Sequence, residues 1–117
     1  MGAGNNIGIK QAQTDYVFVL NPDVILKPNT LDELFLASTK LSDFSILAPI
    51  SSNVNFPNYG MLNKKIKFEK TNFPFKVDYV DGFAMLLNKK KFKNDIYFDE
   101  SFFLYLENND LCLRLNK

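Results

Sequence analysis

Tyr16-Val17-Phe18-Val19-Leu20 is an unbroken apolar run that ends against Asn21-Pro22-Asp23, and no other stretch limits the possible folds as much. The run lacks polar alternation, which is how a strand buried on both faces of a parallel sheet reads. Pro22 cannot donate to a β ladder, so the strand has to stop there. Asp23 is then left just past the carboxyl end of a strand expected to be central. In an open α/β sheet that end is where ligands sit.

The rest of the chain reads around this strand. Residues 4 to 13 form a short helix, with Asn5 or Asn6 as cap, Ile7 and Ala12 on one side, and Gly8 weakening it. Thr30-Leu31-Asp32-Glu33 has the spacing of a capping box with Thr30 as cap. Leu31, Leu34, Phe35, Ser38 and Leu41 then mark a helical stripe. Phe44 to Ile50 is a second strand, able to flank the first on one side. Residues 51 to 75 are a long surface segment, with a small strand at Ile66 to Phe68. Val77 to Val80 and Phe83 to Leu87 are strands on either side of Asp81-Gly82, where the glycine marks a bulge or a close backbone approach. Residues 89 to 94 allow one helical turn. An aromatic stretch from Phe98 to Leu106 leads into a final helix over roughly 109 to 116, with Leu111, Cys112 and Leu115 inward.

Composition narrows the chemistry. The 117 residues allow at most one domain, and an apolar share of 46% calls for a packed core. Fourteen basic and thirteen acidic residues nearly cancel, leaving no electrostatic footprint for nucleic acid. Lys89-Lys90-Lys91 with Lys93 reads as a solvated face. With no histidine and one cysteine, Cys112, a disulfide framework and a zinc site of the usual Cys/His type are both excluded. Imidazole-based relays are excluded as well. Acid–base work falls to carboxylates, lysines or tyrosines, and any metal must be a hard, oxygen-liganded cation. No stretch approaches the roughly 18 apolar residues of a membrane span, and no signal-peptide core is present. The expected location is cytoplasmic, with the inner face of the membrane as a working position.

Candidate chemical residues each carry two readings. Asp23 is either a ligand for a divalent metal on a diphosphate or a turn-forming residue after a proline. Asp110 is either a helix cap or, with Glu107, one of the carboxylates beside apolar walls that suit a general base. Gly4-Asn5-Asn6 either presents amides to a ligand or caps a helix. Cys112 reads as a small buried apolar residue.

The order of these signals is distinctive. Gly2-Ala3-Gly4-Asn5-Asn6-Ile7-Gly8, then Leu20-Asn21-Pro22-Asp23, then Val80-Asp81-Gly82-Phe83, then the block from Phe98 to Arg114 resembles family 2 glycosyltransferases of the rhamnosyltransferase-like branch. The resemblance covers essentially the whole chain. It implies an α/β, GT-A (Rossmann-like) fold, a mixed and mostly parallel sheet flanked by helices. It further implies inverting transfer from a nucleotide-diphosphate sugar to a glycan or lipid-linked acceptor, with Mg²⁺ or Mn²⁺. Under it, Asn21-Pro22-Asp23 stands at the DxD-type motif with Asp23 on the metal, and Asn6 lies near the nucleotide. Asp81 and Gly82 border the donor sugar and acceptor, and Glu107 or Asp110 supplies the base, Glu107 preferred. Asn108 departs from the family's Glu-Asp-x-Asp, and an amide cannot take a proton.

The family's opening β-α-β stretch has no counterpart before Gly2, matching the absence of any strand among the fifteen residues ahead of Tyr16. The chain is therefore expected to be a single partial domain over residues 1–117, N-terminally truncated, with weak or no turnover alone. Two alternatives stand beside this reading. One is a non-catalytic interaction module that self-associates or pairs with the missing N-terminal half, and the other is a gene fragment.

Overall fold

The computed structural model describes residues 2–53, 55–61, 74–101 and 107–115, the side chain of Glu107 excepted. The strand expected at Ile66 to Phe68 and most of the aromatic stretch before Glu107 lie outside the described residues. In chain order the elements are α1 (Gly2–Gln11), β1 (Tyr16–Leu20), α2 (Thr30–Lys40), β2 (Ile46–Leu47), β3 (Tyr59–Gly60), β4 (Tyr79–Val80), β5 (Ala84–Asn88) and α3 (Glu107–Leu115).

The α/β class holds, but the neighbouring strands are antiparallel rather than mostly parallel. β5 lies between β1 and β2 and runs against both, and β3 pairs with β4 in a separate antiparallel ribbon. β1 and β2 therefore share a direction, as a strand–helix–strand crossover requires, without touching. The neighbour of β1 is β5, not the 44–50 segment. Only Ile46–Leu47 of that segment forms a ladder, ended before Pro49.

β1 itself is not central among the described strands. Tyr16, Val17 and Phe18 are half-buried, Val19 is buried and Leu20 is exposed. Its inward face is set by register. Val17 lies opposite Leu87 and Val19 opposite Met85, so two cross-strand pairs fall on one side of the sheet. These residues form the core with Ile9 of α1, Leu111 of α3, and Phe92, Tyr97 and Phe98 from the segment between β5 and α3. That segment makes two short 3-10 turns, and Asn94 and Asp95 both take positive φ (57° and 54°) where it reverses.

The helices differ from expectation in instructive ways. α1 starts at Gly2, so Asn6 sits mid-helix and buried instead of capping, and Ile9 rather than Ile7 faces the core. In α2 the cap position belongs to Asn29, without a side-chain cap bond, and Thr30 is already helical, so no capping box forms. Only Leu34 and Ser38 of its stripe are buried, while Leu31 and Phe35 remain exposed. α3 begins at Glu107, which places Asp110 inside the first turn and not at a cap.

The lysine run does more than face solvent. Lys89 Nζ donates to Ala12 O at 2.8 Å, Lys90 pairs with Asp15 at 2.9 Å, and Lys91 reaches Asp43. Three consecutive lysines thus touch two separate connections, α1–β1 and α2–β2, at the end of the sheet opposite Asp23.

Candidate functional site

The β1–β5 ladder decides where the chemical residues meet. Leu20 is paired with Ala84, and one step further Asn21 N donates to Phe83 O at 2.9 Å. The carboxyl end of β1 is thereby fastened beside the amino end of β5, bringing Asn21-Pro22-Asp23 alongside Asp81-Gly82-Phe83. The carboxyl end of β2 arrives at the same edge through Leu47 opposite Leu86.

A groove of about 230 Å³ opens there. It starts at Val24, the residue after Asp23, and is walled by Leu26, Thr30, Pro49, Ser51 and Phe83. Its lining mixes aliphatic and aromatic surface with hydroxyls, and Asp23 stands exposed at its rim. A larger cleft of about 410 Å³, between Lys10, Tyr97, Glu100 and Arg114, shares no residue with this groove or with the Asp23 and Asp81 corners.

α3 packs on β4 and closes the other side of the corner. Asn108 Nδ2 donates to Val80 O at 3.0 Å. A Cβ added at Gly82 would lie 3.2 Å from Asn108 Cβ, so the close backbone approach expected at this glycine is real and the partner is α3. Asp81 remains open to water on one side, yet partial desolvation raises its carboxyl above the ordinary value of 3.8. Asp110 Oδ2 accepts from Arg114 Nε at 2.8 Å, an i,i+4 pair that engages one of its oxygens, and Arg114 also reaches Tyr97 O.

Asn6 lies apart from this corner. Its Nδ2 donates to Phe98 O at 2.8 Å and to Glu100 Oε1 at 3.0 Å, and its Oδ1 accepts from Phe98 N at 2.9 Å. The amide is consumed in holding α1 against the segment that leads to α3.

Asn58 was missed by sequence reasoning. It is only 2% exposed, its Oδ1 accepts from Ser51 N at 2.8 Å, its Nδ2 donates to Pro49 O at 2.8 Å, and its carbonyl accepts from Asp81 N at 2.8 Å. It therefore ties the groove wall to the Asp81 corner. Pro57-Asn58-Tyr59 lies in the unpatterned segment, and an asparagine after a proline reads as turn, so no local signal marks it.

Residues 1–96 match the model of Glycosyl transferase family 2. The chain belongs to that family. It is 31% identical over 142 residues to Rhamnosyltransferase WbbL of Escherichia coli (strain K12), covering 98% of this chain and 53% of that protein. It is also 29% identical over 132 residues to Low-salt glycan biosynthesis hexosyltransferase Agl10 of Haloferax volcanii, covering 97% of this chain and 42% of that one. The family 2 chain thus spans about half the length of the curated relatives it matches. No solved structure matches it.

Divalent metal is common in this family, and the corner has the right donor chemistry for a hard cation. Among the described residues no three acidic, cysteine or histidine side chains converge. One exposed carboxylate at the carboxyl edge fits an ion that takes one or two protein ligands and fills its remaining positions from water and phosphate. Among the described residues no helix is long and apolar enough to cross a membrane.

Proposed function

We propose that this chain forms the metal- and acceptor-side portion of an inverting glycosyltransferase site, transferring a sugar from a nucleotide-diphosphate donor to an acceptor hydroxyl. The observation that carries the reading is the Asn21–Phe83 bond at 2.9 Å. It brings Asp23 and the Asp81-Gly82 corner to one end of the sheet, beside a groove large enough for a monosaccharide-sized group.

In this reading Asp23 would hold Mg²⁺ or Mn²⁺, with Asn21 beside it, and the ion would offset charge on the departing diphosphate. Asp81 and Gly82 border the donor sugar and the acceptor. The base that takes the acceptor proton is Glu107, because Asp110 already accepts a hydrogen bond from Arg114. Asn6 acts as scaffold, since both ends of its amide are bonded to Phe98. The glycan or lipid-linked acceptor would enter along the groove wall formed by Pro49 and Ser51. A cytoplasmic position at the inner face of the membrane suits a lipid-linked acceptor.

Paramagnetic NMR with Mn²⁺ tests the reading at the weak affinity expected of this portion. Broadening should centre on the amides of Asn21, Asp23 and Gly82, sharpen in its localisation when nucleotide sugars are added, and vanish in Asp23→Asn. Broadening centred elsewhere, or unchanged in that variant, overturns the metal assignment. A second reading is favoured by one observation: β1 has a strand neighbour on one edge only among the described residues. An interaction module that adds a strand there predicts self-association, and light scattering that finds a monomer at all concentrations counts against it.

A further inference from the structure

The peptide unit joining Val80 to Asp81 is gripped at both ends. Its N–H donates to Asn58 O at 2.8 Å, and its C=O accepts from Asn108 Nδ2 at 3.0 Å. Asn58 continues through its side chain to Pro49 O and Ser51 N on the groove wall, both at 2.8 Å. On the other side Asn108 lies on the first turn of α3, and its Cβ backs directly on Gly82. An unbroken series of bonds therefore runs from the groove wall, through the peptide that carries Asp81, to the helix that carries Glu107 and Asp110.

We infer that Asn58 and Asn108 are positioning residues that clamp the Val80–Asp81 peptide and so fix where Asp81 stands beside Gly82, position 108 serving as a hydrogen-bond donor and not as a proton acceptor. What Asp81 faces rests on the glycosyltransferase reading, whereas the clamp rests on geometry alone. The chemistry of the Val80 carbonyl forces the choice at 108. A carbonyl oxygen only accepts, and an ionised carboxylate has no hydrogen to give. Aspartate there would set two acceptors against each other in a partly buried place and leave the carbonyl unpaired. The departure at Asn108 is thus a requirement of this corner, and a base restored at 108 would undo the placement of Asp81.

The distinguishing experiment follows urea unfolding of Asn108→Asp and Asn108→Ala from pH 4 to pH 8, with amide hydrogen exchange on the parent and variants. Among the described side chains, the titratable groups around position 108 are Asp81 from the corner, and Cys112 and the Asp110–Arg114 pair on α3. A neutral carboxylic acid can donate to Val80 O, and its anion cannot. The carboxyl introduced by Asn108→Asp has a folded pKa raised above its unfolded value, so stability is kept at about pH 4 and lost as pH rises through the folded value. Asn108→Ala has no donor at any pH, and its deficit relative to the parent stays flat.

Exchange at the Asp81 amide should quicken at least tenfold in Asn108→Ala, while the Lys89 amide, bonded to Asp15 O at 2.8 Å, stays protected. Asn58→Ala should shift the resonances of Ser51 and of Asp81 and Gly82 together. A pH-independent deficit in Asn108→Asp, or an Asp81 amide no faster in Asn108→Ala, overturns the clamp. Should the alanine variant not fold, Asn108→Ser carries the same exchange measurement with a shorter donor. None of these readouts involves metal or donor, so the clamp can fail while the glycosyltransferase reading stands, and the reverse.

Discussion

Replacing Asn6 with alanine separates two roles for this residue, one in binding nucleotide and one in holding the fold. Asn6 is 5% exposed, and its side chain pairs with both the N–H and the C=O of Phe98, itself 4% exposed. Alanine removes both partners and leaves two buried backbone groups without replacement. An orphaned buried donor or acceptor costs about 1–3 kcal/mol, so Asn6→Ala should destabilise by about 2–5 kcal/mol. That is a large fraction of the roughly 5–15 kcal/mol that holds a domain together. With no tryptophan in the chain, urea unfolding is followed by far-UV circular dichroism and tyrosine fluorescence. The midpoint should fall with the slope unchanged, the signature of a stability change within a two-state transition. A loss below about 0.5 kcal/mol, within the range of an ordinary surface substitution, would refute the reasoning and return Asn6 to the ligand side.

Gly82→Ala should lower stability by about 1–3 kcal/mol, because its methyl must fit 3.2 Å from Asn108 Cβ on a packed helix, and the shifts it causes should be largest in α3. Asp81→Asn should raise the urea midpoint at pH 7. Desolvation raises the native pKa of Asp81 above the ordinary 3.8, so its charge opposes folding at neutral pH, and the variant's advantage should close as pH falls below that value. Leu111→Ala, at a fully buried position, should cost about 2–5 kcal/mol by calorimetry. Cys112 should resist a thiol reagent in the native state and react once urea unfolds the chain, since burial raises its thiol pKa and shields it.

What the sequence makes legible is the part governed by local pattern. The apolar run from Tyr16 to Leu20 is a strand at the stated bounds, Pro22 ends it, and Gly82 marks a close approach. Strand order is a different kind of fact. Whether β5 or β2 lies beside β1 depends on long-range pairing that no window of residues contains, and the unalternating run that reads as doubly buried is equally compatible with an edge position. In α2 the stripe has the helical period, yet burial falls only on Leu34 and Ser38. Periodicity locates a face and does not say what covers it.

The asparagines explain why the site was harder to read than the fold. β2, β3 and β4 have two residues each, and ladders so short leave neighbouring backbone groups without strand partners. An amide side chain carries the donor and acceptor of a peptide group, so it can complete a ladder that the backbone does not continue. Asn6 does this for Phe98, Asn58 for Pro49 and Ser51, Asn88 for Phe44 at 3.0 Å, and Asn108 for Val80. Local propensity assigns each of them to caps and turns, because its statistics describe an asparagine bonding to its own neighbours. Here the bonds from Asn6, Asn88 and Asn108 span 92, 44 and 28 positions. A corner whose geometry depends on such bonds should answer sharply to loss of a single amide and very little to exchange of exposed lysines, which is the contrast that Asn108→Ala and Lys90→Ala would display side by side.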